Sequence, residues 1–118
     1  MEATVILCKC TKQNTFGIRM ESRHNDWYRT WAFKMDEKTA KREGFDKTII
    51  RGSMPIDEKY PGCPYCGTYS FFQCQCGKLN CFTGNNVEEK SWEVTCNWCG
   101  KKLSVKTAHS FEVKGGVL

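Results

Sequence analysis

One arrangement of cysteines occurs twice in this chain, and it constrains the fold more than any other feature. Leu7-Cys8-Lys9-Cys10-Thr11-Lys12 is followed at a distance by Gly62-Cys63-Pro64-Tyr65-Cys66-Gly67. Gln73-Cys74-Gln75-Cys76-Gly77-Lys78 is followed by Thr95-Cys96-Asn97-Trp98-Cys99-Gly100. Each half reads C-x-C, an intervening segment, then C-x-aromatic-C-G, the mark of one plan duplicated within the chain. The C-x-x-C-G stretch suits a tight knuckle. Its backbone N–H groups turn toward the sulfurs, and its glycine takes the positive φ that closes the turn. Pro64 presets φ at the first turn position. Four thiolates around a tetrahedral d¹⁰ ion, at about 2.3 Å, make a closed structural site, whereas a catalytic zinc keeps one position open for water.

Taken in sequence order, Cys8, Cys10, Cys63 and Cys66 form one site, and Cys74, Cys76, Cys96 and Cys99 form the other. Each is expected to hold one Zn²⁺. A crossed arrangement would join Cys63/Cys66 with Cys96/Cys99 and leave the two C-x-C pairs together; spacing does not close that alternative. Cys81 is left over. It reads as a small half-buried apolar residue beside Phe82, and as a ligand it is expected to displace Cys74 or Cys76.

Nine cysteines, an odd number clustered as C-x-C and C-x-x-C, fit a disulfide framework poorly. A reducing, cytoplasmic setting is the expectation. The opening Met1-Glu-Ala-Thr-Val-Ile-Leu-Cys8 has neither the basic start nor the apolar length of a signal peptide. No apolar run approaches the roughly 18 residues that a membrane span requires. The formal charge of +5 invites a nucleic-acid reading. Eight metal-bound thiolates and two divalent ions would lower it to about +1, however. Nor is the basicity concentrated: residues 1–62 hold twelve Lys/Arg against nine Asp/Glu, and residues 63–118 hold six against four.

No P-loop, dinucleotide fingerprint, H-E-x-x-H or paired-carboxylate motif stands out, so neither enzymatic activity nor a small-molecule substrate is expected. His24 sits in the polar stretch Ser22–Asp26 and reads as a surface turn; His109, ten residues past the last knuckle, reads as an edge residue, the alternative being a ligand in place of a thiolate. Trp27, Tyr28, Trp31 and Phe33 could stack bases with help from Arg23, Arg29 and Lys34. The favoured reading makes them core around the first site. Trp98 and Tyr65 are expected to shield sulfur, and Lys101 and Lys102 to offset the charge of the metal site.

The patterning predicts a small metal-stabilised, mostly β fold: two zinc-ribbon-like units with one short helix. The first unit spans 1–67 with a long insertion at 11–62, the second spans 68–110, and 111–118 is a frayed tail. Predicted strands cover 3–8, 16–20, 27–35, 48–51, 69–73, 79–83, 91–95 and 102–107. Trp27, Arg29, Trp31, Phe33 and Met35 suggest a one-sided alternation. Asp36 to Gly44 reads as a helix with Asp36 as N-cap and Gly44 as stop, and 83–86 as an exposed turn. The insertion is expected to have no core of its own without the site it connects. A ribbon of roughly 45 residues buries too little apolar surface to hold itself together, so metal is needed.

From Cys63-Pro-Tyr-Cys-Gly67, through Phe72-Gln-Cys-Gln-Cys-Gly-Lys-Leu-Asn-Cys81, to Cys96-Asn-Trp-Cys-Gly100, the chain resembles the TerY-C metal-binding domain. That resemblance implies a bacterial, cytosolic zinc domain within a stress-response or phosphorylation-linked system of the tellurite-resistance type. The closed all-cysteine sites, near-neutral metallated charge and absent catalytic groups make a protein partner the first expectation. A nucleic-acid-binding ribbon comes second, and a rubredoxin-like iron carrier, which C-P-Y-C-G also suits, third. Asn97 stands where proline is common in such knuckles.

Overall fold

β1 (Ala3–Thr11) organises the molecule, because its two faces and both its edges are all in use. The computed structural model describes residues 2–11, 14–44, 48–82, 92–105 and 111–117. On one edge β1 pairs antiparallel with β2 (Asn14–Arg23), which turns through His24 and Asn25 into β3 (Asp26–Lys34). Both turn residues have positive φ, so His24 lies in the surface turn that its polar neighbours suggest. The other edge of β1 is shared. Thr4–Ile6 pair antiparallel with β9 (Phe111–Val117), while Cys8 and Lys9 pair in parallel with β6 (Leu79–Cys81). β4 (Thr48–Gly52) joins β9, and β5 (Phe71–Gln73) joins β6. Together these make a seven-stranded sheet; β7 (Trp92–Thr95) and β8 (Lys102–Val105) form a separate hairpin.

Alternation along β1 sends Ile6, Cys8 and Cys10 to one face and Val5, Leu7 and Lys9 to the other. The first face packs Ile6 and Cys8 with Phe16, Ile18, Met20, Met54, Tyr60, Cys63 and Leu79. On the second, Val5, Phe33 and Met35 pack against Ala40 of α1 (Glu37–Arg42). The helix starts and stops where the sequence indicates: Thr39 N–H donates to the Asp36 carboxylate at 2.7 Å, and Gly44 takes φ 77°.

Phe16, Ile18, Met20, Ala32, Met54 and Tyr60 of the insertion supply most of the larger core, in one cluster with Ile6, Cys8 and Cys63. Two expectations are corrected. The alternation of β3 is broken: the ladder slips between Arg19 and Met20, placing Arg29 opposite Met20 but Trp31 opposite Arg19. That bulge sends Trp27 and Arg29 to one face and Trp31 and Phe33 to the other. Residues 111–117 form β9 and bind both β1 and β4 instead of fraying. The parallel β1–β6 pairing spans residue 67, so β5 and β6 lie in the same sheet as β1, while β7 and β8 do not. The expected turn at 83–86 and His109 lie outside the described residues.

Gly17 shows how closely the second face is packed. A Cβ there would meet Phe33 Cζ at 2.8 Å and Val5 Cγ1 at 3.1 Å. Gly17→Ala is therefore expected to lower the urea midpoint, with a loss on the order of 1–3 kcal/mol from overpacking. An unchanged midpoint would show that Phe33 does not lie across the β2 backbone.

Candidate metal centres

The two halves spell C-x-C alike but fold it differently. Cys8-Lys9-Cys10 lies in extended strand β1, where residues two apart are roughly 7 Å apart. A tetrahedron of sulfurs around an ion at 2.3 Å has an edge of about 3.8 Å. Two sulfurs projecting straight from that strand therefore do not share one tetrahedron. The structure instead groups Cys10, Cys63, Cys66 and Cys81, their sulfurs all within 4.8 Å of one another. Cys8 is not in this group; it is fully buried in the core with Ile6 and Phe16. Cys81 arrives through the parallel ladder. Cys8 lies opposite Leu79 and Lys9 opposite Asn80, which brings Cys81 beside Cys10 one step on. The β1–β2 register shifts at Cys10, a bulge that re-aims its side chain. Thus Cys81 joins the first cluster in the place expected for Cys8, and displaces neither Cys74 nor Cys76.

Cys74-Gln75-Cys76, by contrast, is a tight turn between β5 and β6. Cys74 N–H donates to Lys78 O at 3.0 Å, and Gly77 N–H to Cys74 O at 2.8 Å. The turn draws its two sulfurs together with those of Cys96 and Cys99, again all within 4.8 Å. Cys74 and Cys99 sulfurs are 3.6 Å apart and those of Cys76 and Cys96 are 3.8 Å apart, the edge length of a thiolate tetrahedron. The sequential pairing of the knuckles, rather than the crossed one, is what the geometry displays. No disulfide joins any of the nine cysteines.

Both knuckles close with the same bonds. Cys63 and Cys96 N–H groups donate to Thr68 and Lys101 carbonyls at 2.9 Å, and Gly67 and Gly100 donate back at 2.9 Å. These glycines have φ 78°. N–H groups of Tyr65 and Cys66 point at Cys63 Sγ, at 3.3 and 3.5 Å, and Trp98 N–H points at Cys96 Sγ at 3.4 Å. The aromatic residues act as braces. Tyr65 hydroxyl donates to Thr15 O at 3.1 Å, and Trp98 Nε1 donates to Leu79 O at 2.7 Å. Lys9 and Lys78 ammonium groups sit 4.4 and 4.5 Å from the centre of the Trp98 ring. Lys9, nearly buried, also pairs with Glu37 of α1 at 2.6 Å.

Residues that motif reasoning passes over join the centres. Asn80, fully buried, donates from Nδ2 to Cys96 Sγ at 3.4 Å. Its Oδ1 accepts from Asn97 N–H at 2.7 Å, and Asn97 Nδ2 donates to Cys10 O at 3.2 Å. The usable signal was Asn97 standing where the first knuckle has Pro64.

The thiols divide by environment. Burial and the neighbouring thiols push Cys10 up to about 12. Burial likewise pushes Cys74 up to about 12. Contact with Cys8, then burial, raises Cys81 far above the ordinary range. Burial opposes ionisation of Cys96 as well, yet hydrogen bonds from Cys99 N–H, the Asn80 amide and Trp98 N–H outweigh it and hold Cys96 down to about 6. Cys63 is lowered in the same way: burial opposes it, while Cys66 and Tyr65 N–H groups favour the thiolate. Each cluster thus pairs a sulfur poised to ionise with others that release a proton only to a cation. Two soft, all-sulfur sets of four, each within 4.8 Å, suit a closed metal site with four thiolate ligands.

A family model for the TerY-C metal binding domain matches residues 56–117, just over half of the chain. The match takes in all four cysteines of the second cluster and Cys63, Cys66 and Cys81 of the first. No curated protein and no solved structure matches the chain.

Two substitutions separate the alternative quartets. Cys81→Ala is expected to lower the bound metal from two ions per chain to one, read by elemental analysis, while Cys8→Ala keeps two. The reverse pattern would restore Cys8 as ligand. Because Cys10 and Cys74 must lose protons to bind, raising the pH is expected to tighten binding, and acid to loosen it. Chelator competition between roughly pH 6 and 8 measures this. An affinity flat across that range would mean that protonated thiols are not displaced.

Proposed function

The chain belongs to the TerY-C metal binding domain family, and from that premise we propose that it is a zinc-stapled module that presents its surface to another protein. The observation that carries this reading is the closed character of both cysteine clusters. Among the described residues every donor is sulfur, so bound zinc would hold backbone elements together and activate no water. In the first cluster Cys10 and Cys81 would anchor two sheet strands to the Cys63/Cys66 knuckle. In the second, Cys74 and Cys76 would anchor the β5–β6 turn to Cys96 and Cys99. The chemistry a bound zinc would supply is charge neutralisation and crosslinking, not catalysis; the chain is no enzyme on this reading.

A protein partner is favoured over nucleic acid by what the arginines do. Arg23 is held by Asp57 and Glu21 at 2.6 Å each. Arg29 is half-buried, its guanidinium over the Tyr60 and Phe71 rings, and donates to the carbonyls of Met54 and Tyr69. Lys34 lies over Tyr65. The cations a base-stacking platform would need for phosphate are engaged internally, and the bulge places Trp27 and Trp31 on opposite faces. Meanwhile Trp31, Ile56 and Tyr69 are about half exposed, at 51, 44 and 52 %. Large apolar side chains of this kind are enriched where proteins dock. Among the described residues no helix is long and apolar enough to cross a membrane. The setting assigned here, a bacterial cytosolic stress-response or phosphorylation-linked system of the tellurite-resistance type, rests on family membership.

The purified protein is expected to be colourless and to carry two zinc ions per chain. Removing them with a chelator should abolish the near-UV circular dichroism, since metal binding of this kind supplies on the order of 10 kcal/mol of folding free energy. A full near-UV signal without metal would contradict the staple role. Salt-dependent retention on single-stranded nucleic acid at physiological ionic strength would move the assignment to the nucleic-acid reading.

A further inference from the structure

We propose that Asn97 and Asn80 are positioning residues that tie the two metal centres together, so that an ion in either centre strengthens binding of the ion in the other. This rests on the two-ion reading above. The two knuckles supply an internal control. Pro64 and Asn97 occupy the same position in turns that close with the same backbone bonds. Because proline has no N–H, that turn does not need a donor at this position. Asn97 nevertheless directs both its N–H and its side-chain amide away from its own knuckle. The N–H goes to Asn80 Oδ1 at 2.7 Å and Nδ2 goes to Cys10 O at 3.2 Å.

Cys10 is a ligand of the first centre, and Asn80 is covalently joined to Cys81, another of its ligands. Asn80 in turn donates to Cys96 Sγ of the second centre, and it does so from a fully buried position where an unmet amide would be costly. The bonds therefore form a loop: first-centre backbone, Asn97, Asn80, second-centre sulfur. An ion that orders Cys10 and Cys81 sets the Cys10 carbonyl and the Asn80 amide where the second knuckle meets them. An ion that orders Cys96 and Cys99 sets Asn97 where those groups meet it. Whichever ion arrives first orders the shared atoms, and the other binds without that cost. Linkage makes the effect equal in both directions.

Asn97→Pro is the informative change. It copies the residue that the first knuckle already accommodates, and it deletes both Asn97 donors together. The experiment starts from the full-length zinc-loaded chain and withdraws Zn²⁺ stepwise with a chelator at equilibrium. Native mass spectra then count chains with two, one and no ions. At half saturation, independent equal centres give roughly half of the molecules with one ion, and a tenfold coupling lowers this to about a quarter. Unequal but independent affinities raise the one-ion share above half, so a value below half is specific to coupling.

The wild type is expected near or below a quarter, and Asn97→Pro nearer to half. Asn97→Ala keeps the N–H bond to Asn80 and loses the bond to Cys10, so it is expected in between. It also provides the comparison if the proline variant fails to fold. A one-ion share that both variants leave unchanged overturns the proposal, whatever its size, since any coupling would then run through other contacts. A chain that never carries more than one zinc instead overturns the two-ion reading on which the proposal stands.

Discussion

Four sulfurs brought within 4.8 Å of one another, twice in one small protein, are a demanding arrangement. As thiolates they repel, and as thiols they are poor hydrogen-bonding partners for a closely packed interior. A cation between them resolves the difficulty. The surrounding structure reads as preparation for one: backbone N–H groups converge on Cys63 and Cys96, and Lys9 and Lys78 stand over Trp98 beside the second cluster. The aromatic residues of both knuckles brace their turns by donating to backbone carbonyls elsewhere in the fold. These contacts bring the four sulfurs of each cluster near one another, and a bound ion would complete their ordering.

The first centre is also continuous with the main core. Cys63 is buried with Ile6, Phe16, Tyr60 and Leu79, and Cys10 and Cys81 pack at the margin of the same cluster. Cys8 lies wholly within it, a fifth thiol that contacts Cys81 and contributes as a compact apolar side chain. Apolar burial and metal crosslinking thus act on the same strands. The second centre, among the described residues, has no cysteine in either apolar cluster. It depends on the turn before β6 and on the polar bridge through Asn80 and Asn97.

Motif spacing made the two centres legible, because a knuckle is a local structure whose glycine and aromatic positions repeat. The α1 boundaries were legible for the same reason: Asp36 and Gly44 act within one turn of their own positions. Choosing between Cys8 and Cys81 required knowing that the first C-x-C lies in a strand and the second in a turn. Chain spelling alone does not distinguish these, and the β1–β6 pairing that delivers Cys81 joins residues about seventy positions apart. The bulge opposite Trp31 and the capture of 111–117 by β1 and β4 are likewise consequences of register across the sheet. The role of Asn97 left a trace in the sequence, a polar residue at a proline position. Its meaning came from the partner it reaches.

X-ray absorption at the zinc edge of the purified full-length protein tests the central claim most directly. Two closed all-thiolate centres predict a single shell of four sulfurs at about 2.3 Å, with no oxygen or nitrogen neighbour. A shell containing oxygen or nitrogen, or fewer than four sulfurs per zinc, would contradict closed structural centres and reopen the question of chemistry at the metal.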